Sequence, residues 1–261
     1  MSWARLLWLF AKLGFQNEAA YRANFWVQIF ESALNIASAL AAVGIVFHWT
    51  DALAGWRPPE LVALLGVYFT VYGAIHVVLA PSLTKFMEDV RLGNLDFALT
   101  KPADAQLLVS LSEVRVWKLV DLAVGLGILG YGVAGLGAHI GPLEAAGFAL
   151  ALVAGAATVY SFWIALATTA FWFVRLENVP MIFWSMYQAG RWPVAIYPGW
   201  LRVTLTAVVP VALAVTVPAE ALAGRLTVAN LALACAVALV LAFASRWFWR
   251  RGLARYSGAS A

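Results

Sequence analysis

The residues of this 261-residue chain that could carry chemistry are few, and their spacing excludes most reactions. Gly125-Leu126-Gly127-Ile128-Leu129-Gly130 matches the G-x-G-x-x-G dinucleotide fingerprint, but it sits inside a long apolar run instead of after a strand. Gly132, Gly135 and Gly137 continue the pattern, which suits close helix packing in lipid. No G-x-x-x-x-G-K-[ST] phosphate loop occurs, so any ATP and Mg this protein depends on must be bound by another polypeptide. His48, His76 and His139 stand on different segments without metal-ligand spacing, Cys235 has no partner in the chain, and there is no G-x-S-x-G elbow. Catalytic, cofactor and metal sites are therefore not expected, and these absences argue against an intramembrane enzyme.

Two polar stripes at helical spacing remain. Gln28, Glu31, Asn35 and Ser38 form one of them. An acid surrounded by lipid is costly and marks a functional position by default. Two readings of Glu31 stand: a buried contact or cavity wall, or a side chain that snorkels to the headgroups and pairs with Arg22. Tyr68, Tyr72 and His76 follow at i, i+4 and i+8, as a packed aromatic ridge or a substrate surface. Glu31, Asn35, Tyr68, Tyr72 and His76 are the candidates for a substrate path or a dimer seam.

The elements that carry these stripes follow from composition. With 64% hydrophobic and 11% charged residues the chain lies far from soluble domains, of which roughly a quarter is charged. Its apolar runs approach the roughly 20 residues a helix needs to cross hydrocarbon, and strand alternation is missing. An all-α membrane protein with six transmembrane helices in one domain, 1–261, is expected. The spans are predicted at about 25–47, 61–80 (closed by Pro81), 119–137, 145–174 and 226–248. Before them, Trp3, Leu6, Leu7, Phe10 and Leu13 predict an amphipathic surface helix over 1–22.

The stretch 179–224 admits two readings. Either 179–197 crosses and 198–224 dips back as a re-entrant hairpin bent at Pro210 and Pro218, or 200–217 is the crossing helix. Both place the two termini on one side. With that side cytoplasmic, Arg5, Lys12, Arg22, Lys85, Arg91, Lys101, Arg115, Lys118, Arg175, Arg246, Arg250, Arg251 and Arg255 all lie inside. Outside remain Arg57 and Arg225, joined by Arg191 and Arg202 in the re-entrant reading. The asymmetry follows the positive-inside rule, so the net charge of +4 reports topology and not nucleic-acid binding.

The segment 82–118 holds about a third of the chain's 17 basic and 13 acidic residues. Ser82 is a candidate N-cap, Leu83, Phe86, Met87 and Val90 fall at i, i+3, i+4 and i+7, and Gly93-Asn94 supplies a stop. A second helix is predicted from Asp104 through Glu113 and Arg115 into the third span. The first helix is either a solvated surface element or a docking element for a cytoplasmic partner. In the second case Phe86 and Met87 would be anchors, with Glu88, Asp89 and Arg91 as a polar rim.

The run Phe86-Met87-Glu88-Asp89-Val90-Arg91-Leu92-Gly93-Asn94-Leu95-Asp96-Phe97-Ala98-Leu99-Thr100-Lys101-Pro102 resembles the R-x-G-x-L-D-x-x-L-x-x-P signature of bacterial ABC transporter permeases of the type-two exporter superfamily, in particular its multidrug-efflux-like subgroup. Tyr21-Arg22-Ala23-Asn24-Phe25 and Tyr197-Pro198-Gly199-Trp200-Leu201-Arg202 agree. The resemblance implies a coupling helix over 83–93, with Leu83, Phe86, Met87, Glu88, Asp89, Val90, Arg91, Gly93 and Asp96 toward an ATPase, and a re-entrant pair before the last span. It further implies cytoplasmic ABC ATPase subunits that bind ATP and Mg, a second permease subunit (identical or different), and a multi-pass place among the lipids of the bacterial inner membrane. The expected activity is export of a hydrophobic, amphipathic or lipid-like substrate. An ATP-independent secondary transporter or channel is the alternative, disfavoured by the small number of intramembrane ionisable residues.

Overall fold

The computed structural model describes residues 22–137, 141–173 and 179–256. The surface helix expected before residue 22, with His139 and Arg175, lies outside the described residues. Within them every regular element is helical, apart from one isolated bridge between Leu53 and Trp56 in the turn after the first helix. Five helical stretches are long and apolar enough to cross a membrane: Trp26–Trp49, Pro58–Leu92, Val116–Gly135, Pro142–Phe171 and Val228–Leu253. A sixth crossing is reached if Gly199–Val208 and Val211–Leu222, inclined at 97°, count as one broken span. The all-α membrane fold read from composition is thus what the chain adopts.

The first helix is α1 (Arg22–Trp49), and α2 (Pro58–Ala74) returns antiparallel to it. Pro81-Ser82 was expected to end this second span and cap a new helix, but α2 instead passes through a π-helical turn, Ile75–Leu79, directly into α3 (Ala80–Leu92). Proline removes the N–H that the carbonyl four residues earlier would accept and crowds that carbonyl. Here the carbonyl belongs to Val77, the wider π turn makes room for it, and the Arg115 N–H donates to it from another segment at 2.8 Å. Ser82 caps nothing: its hydroxyl is fully buried, donates to the Glu113 carbonyl at 2.8 Å and accepts from the Glu113 N–H at 3.0 Å. The resulting rod has 35 residues, about 50 Å against roughly 30 Å of hydrocarbon, so its charged end extends well beyond any bilayer core.

Gly93 ends α3 as the pattern predicts, at φ 74° in the left-handed region, while the Asn94 N–H bonds back to the Asp89 carbonyl at 2.8 Å. Two short helices follow, α4 (Asp96–Leu99) and α5 (Ala105–Ser110). Asp104 caps α5 as expected, accepting from the Leu107 N–H at 3.2 Å. The predicted continuation through Glu113 fails because Ser82 has taken both backbone groups of Glu113, which holds 111–115 as a non-helical strap. A 3₁₀ turn, Val116–Lys118, then leads into α6 (Leu119–Gly135).

The glycines explain how α2 and α6 meet. Gly125 and Gly132 of α6 lie against the backbone of Phe69-Thr70 and Ala63, and in return Gly66 and Gly73 of α2 lie against Leu129 and Leu122. Both pairs are seven residues apart, the repeat that keeps one face toward a neighbour along a left-handed crossing. Lipid offers no hydrophobic drive for helix association, so this close backbone approach is what holds the pair. Gly127 and Gly130, members of the apparent nucleotide motif, face open space. A second seam joins α7 (Pro142–Thr168), α10 (Val211–Leu222) and α11 (Val228–Leu253), again through small residues: Gly155 meets Ala214, and Ala151, Ala154, Ala234 and Ala238 pack with Leu213 and Val217.

Between α7 and α11 no single described helix runs the length of 179–197 or of 200–217, and the 97° break between Val208 and Val211 falls at Pro210, where the re-entrant reading put a bend. The described part of α8 (Val179–Tyr187) has nine residues, about 13 Å, and runs into a 3₁₀ turn, Gln188–Arg191. A second such turn (Val194–Ile196) precedes α9 (Gly199–Val203) and a π turn (Thr204–Val208), after which Pro210 redirects the chain into α10. Gly190 brings the two ends together: a Cβ there would stand 2.6 Å from Val211 Cγ1. From that point α10 runs to the far end of α2, where Arg225 bonds Glu60 at 2.6 Å and stacks over Trp56.

The glycine seam yields a paired expectation. Gly125→Ala places a methyl 2.5 Å from the Thr70 nitrogen and should destabilise by about 1–3 kcal/mol, whereas Gly127→Ala, facing open space, should be neutral or gain up to about 1 kcal/mol of helix propensity. Thermal unfolding of the two purified variants in one detergent checks this; equal melting temperatures would refute the seam.

Candidate functional site

A cavity of about 640 Å³ opens between α1, α2, the start of α6 and α8. All five path candidates line it: Glu31 and Asn35 from α1, Tyr68 and Tyr72 from α2, and His76 from the π turn that follows it. Sequence reasoning missed the facing wall, which consists of Trp184, Gln188 and Arg191, with Lys118 and Asp121 at the entrance to α6. A signal for that wall was present, because Trp184, Tyr187, Gln188 and Arg191 recur at i, i+3, i+4 and i+7.

Arg191 is the unusual member. It donates from Nη2 to Asn35 Oδ1 at 2.6 Å and from Nε to the Tyr68 hydroxyl at 3.4 Å, and its guanidinium lies 5.5 Å from the centre of the Tyr68 ring. Tyr68 is ten residues into α2, about 15 Å from its start, and Asn35 is near the middle of α1, so both partners stand near mid-depth. Arg191 therefore lies at neither end of the bundle. A cation at that depth costs about 2.5–3.5 kcal/mol even on insertion scales. Tyr187 fixes the wall behind it by donating to the Tyr68 carbonyl at 3.1 Å.

Toward the charge-rich end the lining turns aromatic and then ionic. Tyr72 and His76 have ring centres 4.2 Å apart, and His76 stacks on Trp184, also at 4.2 Å and nearly parallel. His76 Nε2 is buried and finds no hydrogen-bond partner among the described residues. Below it Lys118 pairs with Asp121 at 3.1 Å, both largely buried. Glu31 is exposed on the α1 side of the opening.

The second feature is the protruding end of the α2–α3 rod. Leu83 and Phe86 face inward; Phe86 is fully buried against Phe171 and Trp249, with ring centres 5.5 and 5.1 Å away. It anchors α3 to the bundle, so it is not an exposed anchor for a partner as expected. Met87 and Val90 are partly buried against the same core, while Gly93 and Asp96 are half-exposed at the turn. Glu88 and Arg91 point outward and pair at 2.6 Å. The exposed apolar side chains here are Leu92 and Phe97, which the spacing argument passed over. Lys85, Asp89, Asn94, Phe97 and Lys101 surround a groove of about 390 Å³ between α3, α4 and α5.

A polar clamp ties this end to the last span. Arg246 of α11 forms a two-pronged ion pair with Asp104 and donates to Gln106 Oε1 at 2.7 Å, while Gln106 and Ser110 both meet the Tyr160 hydroxyl of α7.

Residues 33–260 match the family described as ABC-2 family transporter protein. The chain belongs to that family. No match was found among curated proteins or among solved structures. As an ABC-2 permease the protein is a multi-pass membrane component of an ABC transporter, associated with ABC ATPase components and not itself the catalytic ATPase.

The clamp has a pH signature. The Arg246 guanidinium beside Asp104 holds its carboxyl below the usual carboxylate range. A depressed folded value means that the stabilisation is complete at neutral pH and drains away as pH falls below about 4, through the folded value. Melting temperature followed from pH 7 downward should therefore drop less steeply in Asp104→Asn than in the unmodified permease over that acid range. Parallel curves would show that the pair contributes nothing.

Proposed function

We propose that this permease is the membrane-spanning subunit of an ATP-driven exporter in a bacterial inner membrane, with both termini cytoplasmic. It moves a hydrophobic, amphipathic or lipid-like substrate out of the cytoplasm or the inner leaflet, and works beside a second permease subunit, identical or different. One observation carries the reading: Tyr68, Tyr72 and His76, which line the cavity, stand on the same unbroken rod as the charged end at Lys85–Leu92. The distribution of basic residues supports the orientation.

The mechanism follows from that rod. ATP and Mg reside on the partner ATPases, whose closure displaces the groove formed by Lys85, Asp89, Phe97 and Lys101. α3 cannot yield alone, because Ser82 and Phe86 lock it to the strap and to the core. The push is therefore transmitted along α2, and the cavity wall shifts against α1 and α8 until the path opens outward. ATP binding selects one of two arrangements by its differential affinity for them.

In this mechanism Glu88→Lys with Asp89→Lys reverses the charge of the outer face without touching the buried residues. Reversed charges at a docking face should lower transport by about tenfold or more, because like-charge contacts cost several kcal/mol. The double variant should purify and melt like the original, yet no longer bring down the ATPase subunit or couple its hydrolysis to transport in proteoliposomes. Unchanged transport would overturn the docking assignment, and activity without any ATPase would overturn the exporter reading.

A further inference from the structure

We infer that the cavity takes the anionic head group, carboxylate or phosphate, of an amphipathic ligand, with Arg191 as its counter-charge. This rests on reading the cavity as a substrate path. Four ionisable side chains of opposite sign line it besides His76 and the tyrosines: Glu31, Lys118, Asp121 and Arg191. Lys118 and Asp121 form an ion pair with each other at 3.1 Å. Among the described residues no carboxylate lies within ion-pair distance of Arg191. Its hydrogen-bond partners are neutral oxygens, those of Asn35 and Tyr68, and Nη1 has no hydrogen-bond partner among the described residues. A guanidinium at mid-depth, oriented by two neutral groups and left with a free donor edge toward a cavity, is complementary to a planar or tetrahedral oxyanion.

The opposite polarity fits less well. A cationic head group would need open aromatic faces, but His76 and Trp184 cover each other at 4.2 Å. Glu31, the remaining acid, is exposed beside the opening and not at the depth of Tyr68. Leu34, Ile36 and Phe69 supply the apolar part of the lining along which a hydrocarbon tail can lie.

The test uses the full chain in phosphatidylcholine nanodiscs and three probes with one twelve-carbon tail: dodecyl phosphate, dodecylphosphocholine and dodecyltrimethylammonium. Equilibrium binding of the labelled probes should favour the anion over the cation by about tenfold or more, the factor that a charge-assisted bidentate contact supplies. Arg191→Gln should abolish that preference, and Arg191→Lys should retain most of it. A preference for the cation, or charge-blind binding in the unmodified chain, overturns the inference, and this comparison decides the matter even where Arg191→Gln fails to assemble. Ser38→Trp, which fills the cavity beside Asn35, separates the two readings. Charge-blind binding that Ser38→Trp abolishes defeats only the anion assignment, whereas binding that ignores both variants defeats the cavity as a path as well. With phosphatidylglycerol in the disc, competition assigns the site to a bilayer lipid head group, and undiminished binding assigns it to a separate anionic amphipath.

Discussion

Hydrocarbon supplies no hydrogen bonds, so a chain inside it can leave regular helix only where another part of the same chain replaces the lost partner. Pro81 is the clearest instance: it deprives Val77 of a donor, and the Arg115 N–H restores one. The requirement fixes more than one bond. Holding Arg115 against Val77 and Glu113 against Ser82 turns 111–115 into a strap, and the strap determines where α6 begins and hence where Lys118 and Asp121 face. The same rule operates at the second irregular region, where Arg202 donates to the carbonyls of Ala195 and Tyr197 that no helix claims.

That arrangement makes α2 and α3 one mechanical element. A helix that ended at Pro81 would leave a flexible joint between the cavity and the charged end, and movement at one would dissipate before it reached the other. The π turn accommodates the proline without such a joint, and the aromatic cluster of Phe86, Phe171 and Trp249 fastens the protruding part to α7 and α11. The Arg246–Asp104 clamp adds α5 to the same assembly. In the exporter reading the three long helices α2, α7 and α11 thus share any load applied at the groove.

How much of this could be read from the sequence depended on the range of the interaction responsible. Spans, the Gly93 stop and the Asp104 cap are set by residues a few positions apart, and they stand where pattern and spacing put them. The two polar stripes were legible as stripes because 3.6-residue periodicity does not depend on what they face. Pro81 was misread because its rescue comes from Arg115, distant in sequence, and Phe86 was misread because amphipathic spacing identifies an apolar face without saying whether protein or partner covers it. The region 179–222 was the least legible. Its hydrophobicity suffices for a span, but its direction is decided by Gly190, Pro210 and contacts with Tyr68, none of which alters an apolar average.

The broken course of that region is also what places a cation at mid-depth. Helix α8 ends at Tyr187, and the 3₁₀ turn that follows aims Arg191 at Asn35 and Tyr68, at the level where α10 takes over toward the far end. One continuous span there could also carry an arginine, but each side chain would then be locked to the whole helix. With short pieces joined at Gly190, the Arg191 wall can move while α2 stays rigid, since short helices with few intrahelical bonds open at lower cost than long packed ones. In the exporter reading, a rigid wall opposite a jointed one is the asymmetry that an alternating path requires. On that reading the aromatic and hydroxyl side of the cavity stands on the driven rod and the cation on the side that gives way.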